Sequence, residues 1–216
     1  MAQYVVIGLG NFGSNLAVSL SKRGHEVLAI DSSAARVQEV KDQVTNAVIA
    51  DAADRVVLAE FVRKDADAVI VSLGDKIESS CLVTFYLKEF GVRNIIVKVV
   101  NEVQGEIIKR VGATDIINPE KDTALHLAKR LGIPNLIDHI PLAPEYSLVE
   151  LAVSDELVGK TLKQLDLRTR YKVEVIAVKD VLHDTITLIP EPDIELKPDS
   201  VLIVLGKEEN LTKLKF

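Results

Sequence analysis

The sequence predicts an α/β fold, a Rossmann-like doubly wound parallel sheet, followed by a small α+β lobe. Three observations carry this. Short apolar, β-branched runs without polar alternation recur along the first 117 residues, the pattern of strands buried on both faces. Helical stretches separate them, so strand and helix alternate six times. The first run ends in Gly8, Gly10 and Gly13, at G-x-G-x-x-G spacing, just before a helical pattern.

The elements follow in order. Residues 4–7 form the first strand. Gly8 then permits a tight turn, Gly10 lets a phosphate approach the backbone, and Gly13 lets the next helix pack close. That helix carries Leu16, Ala17 and Leu20 on one face and points its free N–H groups at the phosphate. Residues 25–30 make a second strand ending at Asp31, near the ~20-residue spacing of an acid that binds a ribose hydroxyl. A carboxylate there accepts from a 2′-OH and repels a 2′-phosphate, which points to an unphosphorylated adenosine ribose.

Residues 34–44 read as a helix and 47–50 as a third strand, followed by Asp51. Asp54 caps a helix over 55–63. Strand 68–71 ends at Ser72, Leu73, Gly74 and Asp75. A helix over 77–90 stops at Gly91, strand 94–98 ends at Lys98, and a helix over 102–111 stops at Gly112. After strand 114–117, Pro119 opens a helix that runs to Leu131. Ligands in such folds sit beyond the carboxyl ends of the strands. That edge gathers the glycine turn, Asp31, Asp51, residues 73–75, Lys98 and Glu120. Lys98 there can neutralise phosphate or end a strand in solvent. Glu120 can face a phosphate-bound divalent ion or complement a helix dipole.

Pro134, Pro141 and Pro144 mark residues 133–146 as a connector between a domain over 1–132 and a second over 147–216. The second has strands at 148–153, 173–178, 185–189 and 200–205, a turn and short helix over 157–167, and a closing helix over 208–214. A core of ~70 residues is marginal alone, so this lobe is expected to pair with a second copy.

Composition narrows the function. No apolar run approaches the ~18 residues of a membrane helix. No signal-peptide pattern opens the chain and Cys81 is the one cysteine, so a cytoplasmic protein is expected. A net charge of −6, 4% aromatics and no Trp argue against nucleic acid as a partner. Catalytic groups are sparse. No tyrosine has a lysine four residues later, and His25, His126, His139 and His183 are not at metal-ligand spacing. Cys81, with Phe85 on an apolar helix face, reads as a structural thiol. Gly159-Lys160-Thr161 lacks the upstream glycine of a phosphate loop.

Residues 5–13, 24–31, 69–74 and 112–122, with Tyr146-Ser147-Leu148-Val149-Glu150-Leu151, together resemble the KtrA/TrkA family over essentially the whole chain. These are RCK-domain regulatory subunits of bacterial potassium uptake systems. The resemblance implies a non-catalytic gating subunit. Dimers of such units assemble into rings, often octameric, on the cytoplasmic face of a membrane-embedded potassium channel. ATP favours the active shape and ADP the inactive one; some members bind NAD or NADH. The nucleotide contacts it implies are Gly8, Gly10, Asn11, Gly13, Asp31, Ser32, Asp51, Ala52, Leu73, Gly74, Asp75, Lys98 and Gln104. Glu120 matches the carboxylate that reaches a divalent cation, Mg2+ or Ca2+.

The sequence departs from the family pattern at three points. Asn11 stands where many members have a phosphate-sensing arginine, Val100 where they have a polar residue, and Gln104 where a histidine is common. These changes bear on which of ATP, ADP, AMP or NADH is sensed, since charge-assisted bonds are about twice as strong as neutral ones. Some members also bind cyclic di-AMP between C-terminal lobes. The matching region here is residues 167–171, Ile176 and Pro190, where Arg168 and Arg170 could hold phosphates or be a solvated basic turn. An NAD-dependent oxidoreductase domain and a ligand-binding domain of another cation transporter or antiporter are the alternatives.

Overall fold

A computed structural model describes residues 1–74 and 76–214. The chain divides into two compact units, Met1–Glu120 and Lys121–Phe216.

The first unit alternates strand and helix: β1 (Gln3–Ile7), α1 (Asn11–Lys22), β2 (Glu26–Asp31), α2 (Ala34–Val40), β3 (Asn46–Ile49), α3 (Arg55–Phe61), β4 (Ala68–Val71), α4 (Ile77–Glu89), β5 (Ile95–Lys98), α5 (Glu102–Val111) and β6 (Asp115–Ile117). The strands form one sheet in the order β3-β2-β1-β4-β5-β6, every pair parallel. Side chains alternate across a strand, and this sheet uses both faces. Val5, Ile7, Val69 and Val71 enter one core; Val6, Ala68 and Ile70 enter the other. That is why these strands carry no polar alternation. The order reverses between β1 and β4, and such a switch opens a crevice at the carboxyl edge.

Helix α2 stops at Val40 rather than at Val44. The chain turns there, and the Thr45 hydroxyl then accepts the Val27 N–H at 3.0 Å. On α4, Cys81 is half-buried against the first core while Phe85 is 47% exposed. The face they share is therefore covered at Cys81 and open at Phe85. Burial pushes the Cys81 thiol pKa up, as fits an unreactive packing residue.

The second unit begins within α6 (Pro119–Gly132). It holds β7 (Leu136–Ala143), β8 (Tyr146–Ala152), α7 (Leu162–Leu165), α8 (Leu167–Tyr171), β9 (Glu174–Asp180), β10 (Thr185–Leu188), β11 (Ser200–Lys207) and α9 (Glu208–Leu211). Its antiparallel sheet runs β10-β9-β11-β8-β7. The expected connector over 133–146 is thus mostly a strand, β7, hairpinned to β8. Pro134 and Pro144 flank this strand and Pro141 lies in it, tolerated because β7 is an edge strand whose register shifts between Pro141 and Ala143. The closing helix is also shorter than expected, ending at Leu211, although Leu214 still reaches the core.

Candidate functional site

The glycine turn shows why each glycine is needed. Gly8 has φ +91°, and a Cβ on it would lie 2.2 Å from the Ser72 carbonyl oxygen. A Cβ on Gly13 would lie 1.9 Å from the Gly8 carbonyl oxygen. Both contacts are with backbone that cannot move aside, so these glycines hold β1, α1 and the end of β4 together. Gly10 differs: nothing lies within 4 Å of the place its Cβ would take. It is the N-cap of α1, with no side chain capping the helix and no acid in the first turn. The helix therefore offers its first N–H groups and its positive end to open space. The exposed Asn11 begins the helix, and its carbonyl accepts from the Asn15 side chain at 2.7 Å.

Asp31 ends β2 and is 7% exposed. Its Oδ2 accepts the Leu9 N–H at 2.7 Å and its Oδ1 the Ser33 N–H at 2.8 Å. The acid is thus clamped to the glycine turn, and each oxygen keeps a lone pair for a further donor. Arg36, on α2, brings its guanidinium 3.5 Å from Oδ2. Sequence reasoning missed this arginine; the signal was a cation within the first turn of the helix after the ribose acid. Ser32 and Asp51 are exposed, Asp51 accepting the Ala53 N–H at 3.0 Å, and Ala52 is buried. Leu73 is half-buried beside Gly74, whose φ of +67° turns the chain after β4. Asp75 lies outside the described residues.

At the other end of the edge, Lys98 closes β5 and Glu120 stands in the first turn of α6. The Lys98 ammonium donates to Glu120 Oε1. Lys98 has 13% of its side chain exposed and Glu120 66%, so a largely covered ammonium meets a carboxylate in solvent. The Lys98 hydrogen bond holds the Glu120 carboxyl below the usual glutamate range. Gln104 is only 3% exposed. Its Oε1 accepts the Val100 N–H at 2.9 Å, and its own N–H is capped by Asn101 Oδ1 at 2.8 Å. It ties the β5–α5 turn together, while its Nε2 is buried without an acceptor among the described residues.

In the second unit, Arg168 pairs with Glu174 at 3.2 Å, and Arg170 lies over the Tyr171 ring at 5.4 Å. Three of the histidines sit in polar contacts. His126 Nε2 is 3.1 Å from the His139 carbonyl oxygen, His139 Nε2 is 2.8 Å from Glu208 Oε1, and His183 Nδ1 is 2.8 Å from Asp180 Oδ1. His25 packs edge-on against Tyr4.

The family model of the TrkA-N domain matches residues 4–119, and that of the TrkA-C domain matches residues 147–215. Ktr system potassium uptake protein C of Bacillus subtilis is 34% identical over 99% of this chain and 96% of its own length. Ktr system potassium uptake protein A of the same organism is 34% identical over 99% of this chain and 95% of its own. Among solved structures, a GsuK channel bound to NAD superposes with a TM-score of 0.65 at 20% identity, over 97% of this chain and 38% of the channel chain. The chain spans about two fifths of that channel, and at this identity the likeness concerns the fold alone. With a TrkA-N domain, then a TrkA-C domain, and such identity along nearly its full length, the chain belongs to the KtrA/TrkA family of RCK-domain proteins.

Proposed function

We propose that the protein is a non-catalytic, nucleotide-sensing subunit of a Ktr/Trk-type potassium uptake system. It acts from the cytoplasm, peripheral to the membrane, on a membrane-embedded potassium channel subunit. Its relatives are named potassium uptake proteins, which supports this reading, and no helix among its described residues is long and apolar enough to cross a membrane.

The observation that carries the nucleotide reading is the contrast within the glycine turn. Gly8 and Gly13 have no room for a Cβ, whereas Gly10 faces open space at an uncapped helix N-terminus. The residues present fit an adenine nucleotide, ATP or ADP. Asp31 suits the ribose, the α1 N–H groups and Gly10 suit the phosphates, and Lys98 adds a cation. Ser32, Asp51, Ala52, Leu73, Gly74 and Asp75 complete the contacts.

The Lys98–Glu120 pair supplies the coupling. Phosphate charge competes for the Lys98 ammonium. Each gain for phosphate leaves the Glu120 carboxylate less neutralised and better able to hold Mg2+ or Ca2+, which prefer oxygen ligands. Nucleotide and cation should therefore strengthen one another by the same factor. The subunit then shifts a partner only as far as the two nucleotide states differ in affinity for its two shapes. Assembly as dimers in an octameric ring is part of the same reading. The exposed apolar residues Leu182, Leu188 and Ile189 support pairing of C-terminal lobes.

NAD or NADH is the second reading. It draws on the fold shared with an NAD-bound channel and on Asn11, which carries no charge for a terminal phosphate. AMP would fit for the same reason. Calorimetry of the full chain with ATP, ADP, AMP, NAD and NADH, with and without Mg2+ or Ca2+, separates these readings. Tight ATP and ADP, with ATP strengthened by the cation, supports the proposal. NADH binding alone moves the sensed signal to redox state, and no nucleotide binding removes the proposal. Cyclic di-AMP belongs in the same panel, with Arg168→Ala and Arg170→Ala as its tests.

A further inference from the structure

The second unit brings three metal-ligating side chains together at the base of a hairpin. Asp180 ends β9, where it pairs with Thr185 at the start of β10 and with Ser200 at the start of β11. The Val181 N–H donates to the Asp199 carbonyl at 3.1 Å, which sets Asp199 beside Asp180. The turn from β9 to β10 then folds His183 back, its N–H donating to Asp180 Oδ1 at 2.9 Å. One ligand atom each from Asp180, His183 and Asp199 lies within 4.8 Å of the other two.

A second observation points to a cation. On the half-buried Asp199, Oδ2 is buried with no donor among the described residues, and its carboxyl lies within hydrogen-bonding reach of that of Asp180, so two acids crowd one spot. A carboxylate oxygen out of water and without a donor is costly to leave so. The nearest cation shown, Lys197, gives its ammonium to Asp180 Oδ2 at 3.1 Å. That lysine is 61% exposed on a flexible stem, so it can swing into solvent when a stronger cation arrives.

We propose that Asp180, His183 and Asp199 form a site for a divalent first-row transition ion of the Zn2+ or Mn2+ class. One imidazole with two carboxylates suits such ions, whereas Mg2+ and Ca2+ take oxygen ligands. Metal–ligand bonds of about 2.0–2.2 Å need ligand atoms closer than 4.8 Å; His183 Nδ1 already lies 2.8 Å from Asp180 Oδ1, so a small shift of these side chains suffices. Bound metal would pin the β9–β10 hairpin to the start of β11. The three residues lie wholly in the second unit, so the site is independent of Glu120 and of the nucleotide reading.

The test is calorimetric titration of chelator-treated, nucleotide-free full-length protein with ZnCl2 and with MnCl2. Wild type is compared with His183→Ala, Asp199→Asn and Glu120→Gln. The proposal expects one ion per chain. Affinity should fall about tenfold or more in both His183→Ala and Asp199→Asn, since even outer-shell losses cost 10–100-fold. It should be unchanged in Glu120→Gln. Absence of binding in wild type, binding that survives both His183→Ala and Asp199→Asn, or binding lost only in Glu120→Gln would overturn it.

Discussion

The two units put similar apolar residues to different use. In the first, all four residues of β4 are buried, because cores lie on both faces of the parallel sheet. In the second, β11 is buried along its first five residues, yet all four residues of β10 are exposed. Ile186 is 53% exposed, Leu188 69% and the following Ile189 88%. An edge strand of this kind is a template for another chain. The first unit thus buries its central strands on both faces and leaves Gly10, at the start of α1, facing open space. The second leaves an apolar edge strand exposed, and the proposed pairing of lobes rests on it.

The largest effects should come from the first unit's turn. Gly13→Ala forces a Cβ onto the Gly8 carbonyl at 1.9 Å. It should cost about 3 kcal/mol or more, read from the denaturant midpoint. Gly10→Ala meets nothing, so folding should change by about 1 kcal/mol or less while nucleotide affinity falls. Equal destabilisation by the two would break the distinction between a structural and a binding glycine.

The second unit gives a matching pair. Leu202 is fully buried in β11, and Leu202→Ala should cost about 2–5 kcal/mol. Leu188→Ser, on exposed β10, should leave folding within about 0.5 kcal/mol but weaken self-association in sedimentation. Unchanged association would show that β10 is not the paired surface.

A smaller effect should separate the units by pH. Burial pushes the Glu208 carboxyl up, but the Ser147 hydroxyl, Lys129 ammonium and His139 imidazole outweigh it and bring it from 4.5 down to about 2. A depressed native value means the unfolded chain binds more protons in this window. The resulting stability is present above pH 4.5 and is lost as pH falls toward 2. Glu208→Gln should flatten that part of the acid unfolding curve.

The first unit was the more legible in sequence, for a physical reason. Strands buried on both faces read as continuous apolar runs, and the glycine turn has steric requirements that only glycine meets. Proline misled at β7 because an edge strand tolerates what a central strand cannot. The glycine turn was legible at Gly8 and Gly13, and so was Asp31 at the end of β2, because local backbone geometry sets their places. Less legible was Gln104, whose side chain proves buried and engaged by Val100. Arg36 was overlooked although its partner Asp31 lies close by in sequence, whereas the Lys98–Glu120 pair was hidden because its two members come from separate segments. The cluster of Asp180, His183 and Asp199 escaped for the same reason, since its third member is supplied by strand pairing rather than by spacing.

The most direct test of the nucleotide-sensing account is the coupling between ATP and Mg2+, measured as ATP affinity with and without the cation in wild type and in Glu120→Gln. The account predicts that Mg2+ strengthens ATP binding in wild type and that Glu120→Gln removes this gain while ATP alone still binds. An equal Mg2+ effect in both proteins, or no ATP binding in wild type, would contradict it.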